Sequence, residues 1–175
     1  MQIKILYDNI LNTYAEAIVN SANNNLVAGS GLCGAIFEKA GNQKTQLQKE
    51  CNEIGYCATG HAVMTKAYNL HSKYIIHAVG PRYNLDDKPS QLLQSTYLSS
   101  LQLADDIGLR SIAFPCISTG IYGFPIEEAT EIALTTIFYY KPRCLKFCYL
   151  YCYTNEEYQI YLKTLKRMMT RHLKK

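Results

Sequence analysis

Hydrophobic and polar positions follow two patterns along this chain, and each pattern predicts a different kind of element. Short apolar runs predict strands, and they cover residues 2–7, 16–20, 62–67, 73–79, 110–115 and 145–152. Between these runs, apolar residues recur every third or fourth position, which predicts helices. The helices cover 31–40 and 43–54, a segment that starts at Pro89-Ser90, a segment from Ile126 to Ile137 with Pro125 in its first turn, and a final segment after Thr154.

This alternation of strands and helices predicts an α/β fold with a mainly parallel sheet that is covered on both faces. The runs 73–79 and 110–115 are almost wholly apolar, as strands buried on both faces require. Thr154 followed by Glu157 is a capping box that predicts the start of the final helix. Because ligands of parallel sheets bind at the carboxyl ends of the strands, we expect the binding site at that edge.

The composition fits a globular domain. The chain has 175 residues, of which 48% are hydrophobic, and no apolar run approaches the ~18 residues that span a bilayer. The segment MQIKILYDNI is too short and too polar for a signal peptide. The seven cysteines contain no CxxC pair, which predicts reduced thiols and a cytoplasmic location. Cys144, Cys148 and Cys152 are expected on one face of a strand as small buried side chains, with no metal site.

The net charge of +4 comes from one end of the chain. Residues 163–175 contain no acid and six basic residues, so the rest of the chain carries about −2; the six are Lys163, Lys166, Arg167, Arg171, Lys174 and Lys175. A basic tail can touch nucleic acid, but a solvated helix end is the favoured interpretation. No aromatic platform accompanies these charges, which argues against a nucleic-acid partner.

Two glycine-containing loops carry the candidate chemistry. The segment 17–41 reads AIVNSANNNLVAGSGLCGAIFEKAG, and the segment 115–130 reads PCISTGIYGFPIEEAT; each has the order strand, glycine loop, helix. A helix N-terminus exposes unpaired N–H groups and a partial positive charge, and glycine lets a ligand approach the backbone closely. Two such loops predict a ligand with more than one phosphate, held from both sides.

The residues Gly29 to Gly34 also satisfy the pattern GxGxxG of dinucleotide-binding proteins. That pattern needs a loop directly after a strand, yet eight residues separate Asn20 from Gly29. A second strand ending in an acid is not found where the ribose contact would lie. An NAD-dependent dehydrogenase is therefore a poor fit, and the alternative that the glycines only permit tight turns stays open.

Five blocks taken together resemble the macrodomain family, whose members bind ADP-ribose. These are AIVNSAN, GSGLCGAIFEKAG, CATGHAVMTKAYNL, KYIIHAVGP and FPCISTGIYGFP. The chain is most similar to the branch of mono-ADP-ribosyl hydrolases and O-acetyl-ADP-ribose deacetylases. The resemblance implies one macrodomain over residues 1–175, built as a three-layer α/β/α sandwich with a mixed, mostly parallel sheet.

The resemblance also assigns roles to residues near the N-terminus. The family's Gly-Asp-Ile, whose acid accepts from the adenine amino group, corresponds to the segment Tyr7 to Ile10. Ungapped alignment places Asn9 at the acid and one residue of slippage restores Asp8, so both remain candidates together with Ile10. The family's VNAAN appears as residues 19–23, in which Asn23 is expected to bond the distal ribose. We expect Asn20 to hydrogen-bond the backbone.

The two loops are implied to bind the diphosphate. Backbone amides are expected from Gly29, Ser30, Gly31 and Leu32 on one side, and from Ser118, Thr119, Gly120, Ile121 and Tyr122 on the other. Phe124 falls where the family stacks an aromatic ring on the distal ribose. For Tyr122 and Phe124, plain core packing is the alternative. His77 ends an apolar strand without a carboxylate in its motif, and we interpret it as structural.

The expected activity is hydrolysis of mono-ADP-ribose from acidic side chains, and of O-acetyl-ADP-ribose. Many hydrolases of this branch carry Asp where this chain has Cys33, so Asn23 and Cys33 are the catalytic candidates and water attack would be substrate-assisted. A non-catalytic ADP-ribose reader is the alternative. The expected partner is ADP-ribose or a mono-ADP-ribosylated protein, with no cofactor, no metal and no membrane, and the protein is expected to be a monomer.

Overall fold

A computed structural model describes residues 1–173, and its sheet contains the six predicted strands. In chain order they are β1 Gln2–Tyr7, β2 Ala17–Ser21, β3 Ala62–Lys66, β4 Tyr74–Ala78, β5 Ser111–Phe114 and β6 Phe147–Cys152. The first and last residues of each strand differ from the predicted ones by at most two positions. The apolar runs are therefore sufficient to locate the strands.

Five helices connect or follow these strands. They are α1 Gly31–Lys39, α2 Lys44–Ile54, α3 Pro89–Asp106, α4 Ile126–Tyr139 and α5 Asn155–Leu173. The predicted capping box is present at α5, where the Thr154 hydroxyl accepts from the Glu157 N–H at 3.2 Å and Glu157 accepts from the Thr154 N–H at 3.0 Å. Pro125 precedes the first residue of α4 instead of lying within its first turn. Two short 3-10 turns, Ile10–Asn12 and Gly41–Gln43, were not predicted.

The sheet is mixed and mostly parallel, with strand order β1-β6-β5-β2-β4-β3. Strands β3 and β4 pair antiparallel, and the other four strand pairs of the described residues are parallel. One cluster of buried side chains joins the sheet to α3, α4 and α5, and a second joins the opposite face to α1 and α2. The molecule is thus the three-layer α/β/α sandwich that the sequence resemblance implied.

The cysteines are free thiols, and the interpretation of their spacing needs one correction. Cys148 and Cys152 are buried on the same face of β6 as expected, but β6 begins at Phe147 and Cys144 lies before it, partly exposed. Within residues 1–173, no group of three or more His, Cys, Asp or Glu side chains could hold a metal ion. None of the described helices is long and apolar enough to span a membrane.

The parallel pairing brings four chain segments to one edge of the sheet. Strands β1, β6, β5 and β2 are neighbours in that order and run in the same direction, so the residues that follow each of them emerge side by side. With an interstrand spacing of about 4.8 Å, these four strands span roughly 14 Å. Both glycine-containing loops follow strands of this group, so the fold brings them together.

Candidate functional site

A cleft of about 750 Å³ lies along this edge of the sheet. Its volume is within the range of about 300–1,000 Å³ that is usual for small-molecule sites. It is lined by the carboxyl ends of β2 and β6, by the segments that follow β1, β2, β5 and β6, and by the first residues of α1. The lining residues are Asp8, Asn9, Ile10, Leu11, Ser21, Asn23, Gly29, Ser30, Gly31, Leu32, Cys33, Ala35, Pro115, Cys116, Ser118, Thr119, Gly120, Ile121, Tyr122, Tyr151, Tyr153 and Glu157.

The first glycine loop presents the N-terminus of α1 to the cleft. The helix begins at Gly31, whose φ of +58° is in the left-handed region, and the preceding residue Ser30 makes no side-chain hydrogen bond to the helix. The first N–H groups of α1 therefore keep their hydrogen-bonding capacity for a ligand. Gly34 is required by packing, because a Cβ atom there would lie 2.4 Å from the carbonyl oxygen of Gly29.

The second loop faces the first across the cleft and is held by its own backbone. The N–H of Phe124 donates to the carbonyl of Ser118, and the N–H of Gly123 donates to that of Gly120, both at 2.9 Å. Ser118 has a φ of +67°, an uncommon conformation for a residue with a side chain. Burial raises the pKa of Tyr122, so its phenol remains a hydrogen-bond donor at neutral pH. The loop is therefore a preformed wall with its backbone at the cleft.

At the β1 end of the cleft, the two acid candidates have different roles. Asn9 caps the 3-10 turn, since its side-chain oxygen accepts from the N–H of Leu11 at 3.0 Å. Asp8 accepts through one oxygen, Oδ1, from the N–H of Asn9 at 2.6 Å and from the amide of Asn12 at 3.0 Å. Both residues line the cleft and both are exposed.

At the β2 end, Asn23 and Cys33 share one hydrogen-bond acceptor. The carbonyl oxygen of Val27 accepts from Asn23 Nδ2 at 2.8 Å and from Cys33 Sγ at 3.6 Å. Asn23 Oδ1 accepts in turn from the N–H of Val27 at 3.2 Å. The side chain of Asn23 is therefore fixed in orientation at the cleft wall, with donor and acceptor capacity left for a ligand hydroxyl.

The expectation for Asn20 was wrong, because its side chain bonds other side chains and not the backbone. Asn20 Nδ2 lies 3.6 Å from Cys33 Sγ and 3.2 Å from His77 Nδ1. His77 Nε2 lies 2.9 Å from the hydroxyl of Thr65 and 3.8 Å from Cys51 Sγ. Complete burial lowers the pKa of His77 from 6.5 to about 4, so the imidazole is neutral at pH 7.

Every candidate site residue predicted from the sequence lines the cleft except Phe124. Phe124 is only 2% exposed, and its ring packs edge-on against Tyr83 with centroids 4.8 Å apart. It belongs to the core cluster beneath α3 and α4. The structure therefore places Phe124 in the core, as the packing alternative described, whereas Tyr122 lies at the cleft.

Sequence reasoning missed the contribution of the carboxyl end of β6 and of the residues that follow it. Tyr151, Tyr153 and Glu157 all line the cleft, and Tyr153 is 79% exposed. Glu157 is oriented by the N–H groups of Tyr153 and Thr154, at 2.8 and 3.0 Å. The signal was available, because the predicted parallel strand 145–152 must end at the same edge as its neighbours.

The cleft has an unusual charge distribution for an anion site. Among the described residues that line it, the charged side chains are the carboxylates of Asp8 and Glu157, and none is Lys or Arg. Asp8 follows β1 and Glu157 follows β6, so both lie at one end, while Asn23 follows β2 at the other. A phosphate group in the centre would depend on backbone N–H groups and the dipole of α1.

Comparison with known proteins places this geometry in a family. The model of the Macro domain family matches residues 19–133. An O-acetyl-ADP-ribose deacetylase of Escherichia fergusonii is 41% identical over 168 residues, which cover 94% of this chain and 95% of that protein. An ADP-ribose glycohydrolase of Xenopus laevis is 49% identical over 124 residues, or 70% of this chain and 29% of that protein.

A solved structure gives the same result for the fold. The macrodomain of Oceanobacillus iheyensis with ADP superimposes with a TM-score of 0.89 at 35% sequence identity. The match covers 95% of this chain and 91% of that one. The similarity therefore extends over nearly the whole chain.

Proposed function

Because this chain belongs to the Macro domain family, we propose that it binds ADP-ribose in the cleft and hydrolyses mono-ADP-ribose from acidic protein side chains. O-acetyl-ADP-ribose is proposed as a second substrate, in which water would add to the carbonyl carbon of an acetyl ester on a ribose hydroxyl and release acetate and ADP-ribose. The observation that carries the proposal is the pair of backbone loops that face each other across the carboxyl edge of the sheet. The names of the two enzymes that it resembles support hydrolysis.

The diphosphate is proposed to lie between the two loops. On one side, Gly29 and the first turn of α1 offer N–H groups that no side-chain cap occupies. On the other side, the backbone of residues 118–122 forms the opposite wall. A pyrophosphate needs many donors, and backbone amides supply them without the conformational entropy that lysine or arginine side chains lose on binding.

The adenosine is proposed to lie at the β1 end. Asp8 is the better partner for the adenine amino group, because the side-chain oxygen of Asn9 already caps the 3-10 turn. Asp8 uses Oδ1 for its intramolecular bonds, and a carboxylate has further acceptor positions on Oδ2. Tyr153 provides an exposed aromatic ring beside this position, suited to stacking on a base.

The distal ribose is then proposed to reach the β2 end, where Asn23 and Cys33 lie. The span of roughly 14 Å from β1 to β2 accommodates an adenosine, a diphosphate and a second ribose in a bent conformation. Asn23, held by Val27, would orient the ribose hydroxyls. Cys33, which is 7% exposed, would line the pocket of the anomeric carbon.

The side chains at this end restrict the chemistry. Among the described residues that line the cleft, no carboxylate lies near Asn23 or Cys33, so the protein supplies no carboxylate base there. The group that leaves must therefore depart without protonation by the protein. The carboxylate of a glycosyl ester does so readily, because it is a stable anion. The cation-like transition state would be stabilised by the adjacent diphosphate, which would also orient the water.

The direct test uses a peptide that carries ADP-ribose on a glutamate. We expect the protein to release free ADP-ribose faster than a buffer control, as measured by chromatography. ADP-ribose at 100 times its Kd should add about 2.7 kcal/mol to the free energy of unfolding, which raises the Tm by roughly 5–10 °C. No change in Tm and no heat of binding would reject the proposal as a whole.

A non-catalytic reader of ADP-ribose is the second candidate. It is favoured by one observation, the absence of a carboxylate from the described lining at the Asn23 end. A reader would give the same heat of binding and the same rise in Tm, but no release of ADP-ribose above the buffer control. The release assay therefore separates the two functions.

A further inference from the structure

We propose that His77 is a positioning residue for this reaction, which acts through Asn20 and Cys33 on the amide of Asn23. The inference rests on the proposed function, because it gives the buried imidazole a role in the geometry of the site at the distal ribose. His77 does not line the cleft and is fully buried. Its influence must therefore pass through other side chains.

The last step of this connection is the carbonyl group of Val27. It accepts from Asn23 Nδ2 at 2.8 Å and from the thiol of Cys33 at 3.6 Å. The two side chains proposed to face the distal ribose are therefore attached to one atom. If the thiol of Cys33 moves or changes its hydrogen bond, the carbonyl of Val27 loses one of its two donors, and the hydrogen bond between this carbonyl and Asn23 changes.

The preceding step is Asn20, which connects the thiol to the imidazole. Its Nδ2 lies 3.6 Å from Cys33 Sγ and 3.2 Å from His77 Nδ1, while its Oδ1 is buried and has no partner among the described residues. Burying the amide oxygen of Asn20 without a hydrogen bond is unfavourable, because the oxygen loses its contacts with water. The amide nevertheless keeps this orientation, because Cys33 Sγ and His77 Nδ1 both accept hydrogen bonds here and only Nδ2 of Asn20 can donate to them.

The acceptor character of His77 Nδ1 follows from the other side of the ring. The hydroxyl of Thr65 donates to the carbonyl of Lys66 at 3.1 Å, so it is free to accept from His77 Nε2–H at 2.9 Å. With the proton on Nε2, the neutral imidazole has an unprotonated Nδ1 that accepts from Asn20. The remaining titratable neighbour is Cys51, whose thiol pKa is raised to about 12 by burial, so it is uncharged.

The consequence of losing this acceptor is specific. Without Nδ1, the amide of Asn20 can turn over and direct its oxygen toward Cys33. The thiol of Cys33 would then donate to Asn20 Oδ1 and no longer to the carbonyl of Val27. This carbonyl could then move, and the side chain of Asn23 that is bonded to it would no longer be held in one orientation. The tautomer of a buried histidine thereby controls the orientation of the Asn23 amide at the cleft, four hydrogen bonds away.

The experiment compares four variants of the full chain. His77→Leu removes the acceptor, and His77→Asn restores an acceptor oxygen at about the distance of Nδ1 from Cβ. Asn20→Val removes the connection and leaves His77 in place. Thr96→Val is the matched control, since it deletes a buried hydroxyl of α3 that bonds the carbonyls of Leu92 at 2.8 Å and of Val79 at 3.2 Å, and that contacts none of the side chains of Asn20, Cys33 and His77.

We expect His77→Leu and Asn20→Val to lower kcat for ADP-ribose release by about 10- to 100-fold, because small displacements in a site have effects of this size. The Kd for ADP-ribose, measured by calorimetry, should change by less than about threefold, since diphosphate and adenosine contacts are untouched. His77→Asn should recover most of the kcat. Thr96→Val should lose stability in urea but keep kcat.

A second measurement does not depend on turnover. In the folded proteins without ligand, the rate at which iodoacetamide modifies Cys33, mapped by mass spectrometry, should change in His77→Leu and Asn20→Val. It should equal the wild-type rate in Thr96→Val and approach it in His77→Asn. If the wild-type protein releases no ADP-ribose, the proposed hydrolysis fails, and the modification rates still decide whether His77 positions the thiol.

Equal kcat and equal modification rates in wild type, His77→Leu and Asn20→Val would overturn the proposal. It is also overturned if Thr96→Val loses as much kcat as His77→Leu at the same loss of stability, because the effect would then be general destabilisation. Should His77→Leu fail to fold, the comparison of Asn20→Val with Thr96→Val decides the question alone.

Discussion

His77 is an ionisable side chain that the fold keeps neutral by excluding water. Its ring is fully buried, and its pKa falls from 6.5 to about 4. The groups that contact it, Asn20, Thr65 and Cys51, carry no charge at neutral pH. A proton on this ring in the folded state would be an unpaired buried charge, so the unfolded chain binds it more readily.

The stability of the protein should therefore depend on pH below about 6.5. Between pH 6.5 and 4 the unfolded state binds a proton at His77 that the folded state does not, so stability falls as pH falls. The full loss is about 3 kcal/mol. Urea unfolding at pH 7.0, 6.0 and 5.0 measures the slope, and carboxylates begin to contribute to it only near pH 5.

His77→Asn provides the control for this slope. The variant lacks the imidazole, so its free energy of unfolding should change less between pH 7.0 and 5.0 than that of the wild type. Identical slopes in the two proteins would show that His77 is not the group responsible.

Asn23 is the residue at which binding and catalysis should separate. Its side chain makes two hydrogen bonds with Val27 and faces the proposed position of the distal ribose. For a hydrolase, Asn23→Ala should lower kcat by at least about tenfold and weaken ADP-ribose binding by less. Calorimetry and the release assay give the two values.

Asn25→Ala is the matched variant for Asn23→Ala. Asn25 lies two residues away in the same loop and is exposed, and it does not line the cleft. We expect it to keep wild-type kcat and Kd. A loss of affinity in Asn23→Ala with no loss of kcat would contradict the catalytic assignment of Asn23.

At the scale of the element, helix α1 is shaped by its loop as much as by its own sequence. Gly34 lies within the helix, where glycine normally costs about 1 kcal/mol relative to alanine. The structure explains its presence, because the carbonyl oxygen of Gly29 occupies the place of a Cβ atom. Helix propensity therefore predicts that alanine at position 34 stabilises the protein, whereas packing against the loop predicts that it destabilises the protein.

Gly34→Ala tests which of the two decides. Propensity alone predicts a gain of about 1 kcal/mol. Since a Cβ would lie 2.4 Å from a backbone oxygen, we expect a loss of stability in urea and a weaker Kd for ADP-ribose, by at least about tenfold, as the loop is displaced. A more stable variant with unchanged Kd would show that the loop yields without effect on the site.

At the scale of the whole molecule, the positive charge and the cleft are separated. The basic residues of α5 lie beyond its first turns, and Arg167 forms an ion pair with Glu131 of α4. Lys174 and Lys175, which complete the basic cluster seen in the sequence, lie outside the described residues. The cleft itself has carboxylates at one end and no lysine or arginine in its described lining.

Binding of ADP-ribose should therefore depend only weakly on salt. Between about 50 and 500 mM NaCl we expect the Kd to change by less than about threefold, because the amide donors are fixed and partly buried dipoles. Calorimetry across this range measures the change. Nucleic acid held by lysine and arginine would instead show a steep logarithmic dependence on salt. A steep dependence for ADP-ribose would point to a cationic side chain at the diphosphate.

The sequence alone determined the elements and most of the residues at the cleft. The strand and helix patterns are local, since the spacing of apolar positions reflects the pitch of each element, and the glycine loops lie next to them in the chain. The patterns located the two loops, and the resemblance to the macrodomain family then assigned the residues from Gly29 to Cys33 and from Ser118 to Tyr122, which line the cleft.

Only the tertiary structure decided contacts between segments that are distant in the chain. The strand order brings Tyr153 and Glu157 beside Asp8, and neither has a motif that marks it as part of the site. Phe124 and Tyr122 lie two residues apart, and the packing of one ring against Tyr83 separates core from cleft. The connection from His77 through Asn20 to Cys33 joins β4, β2 and α1, and such pairings depend on how the layers pack.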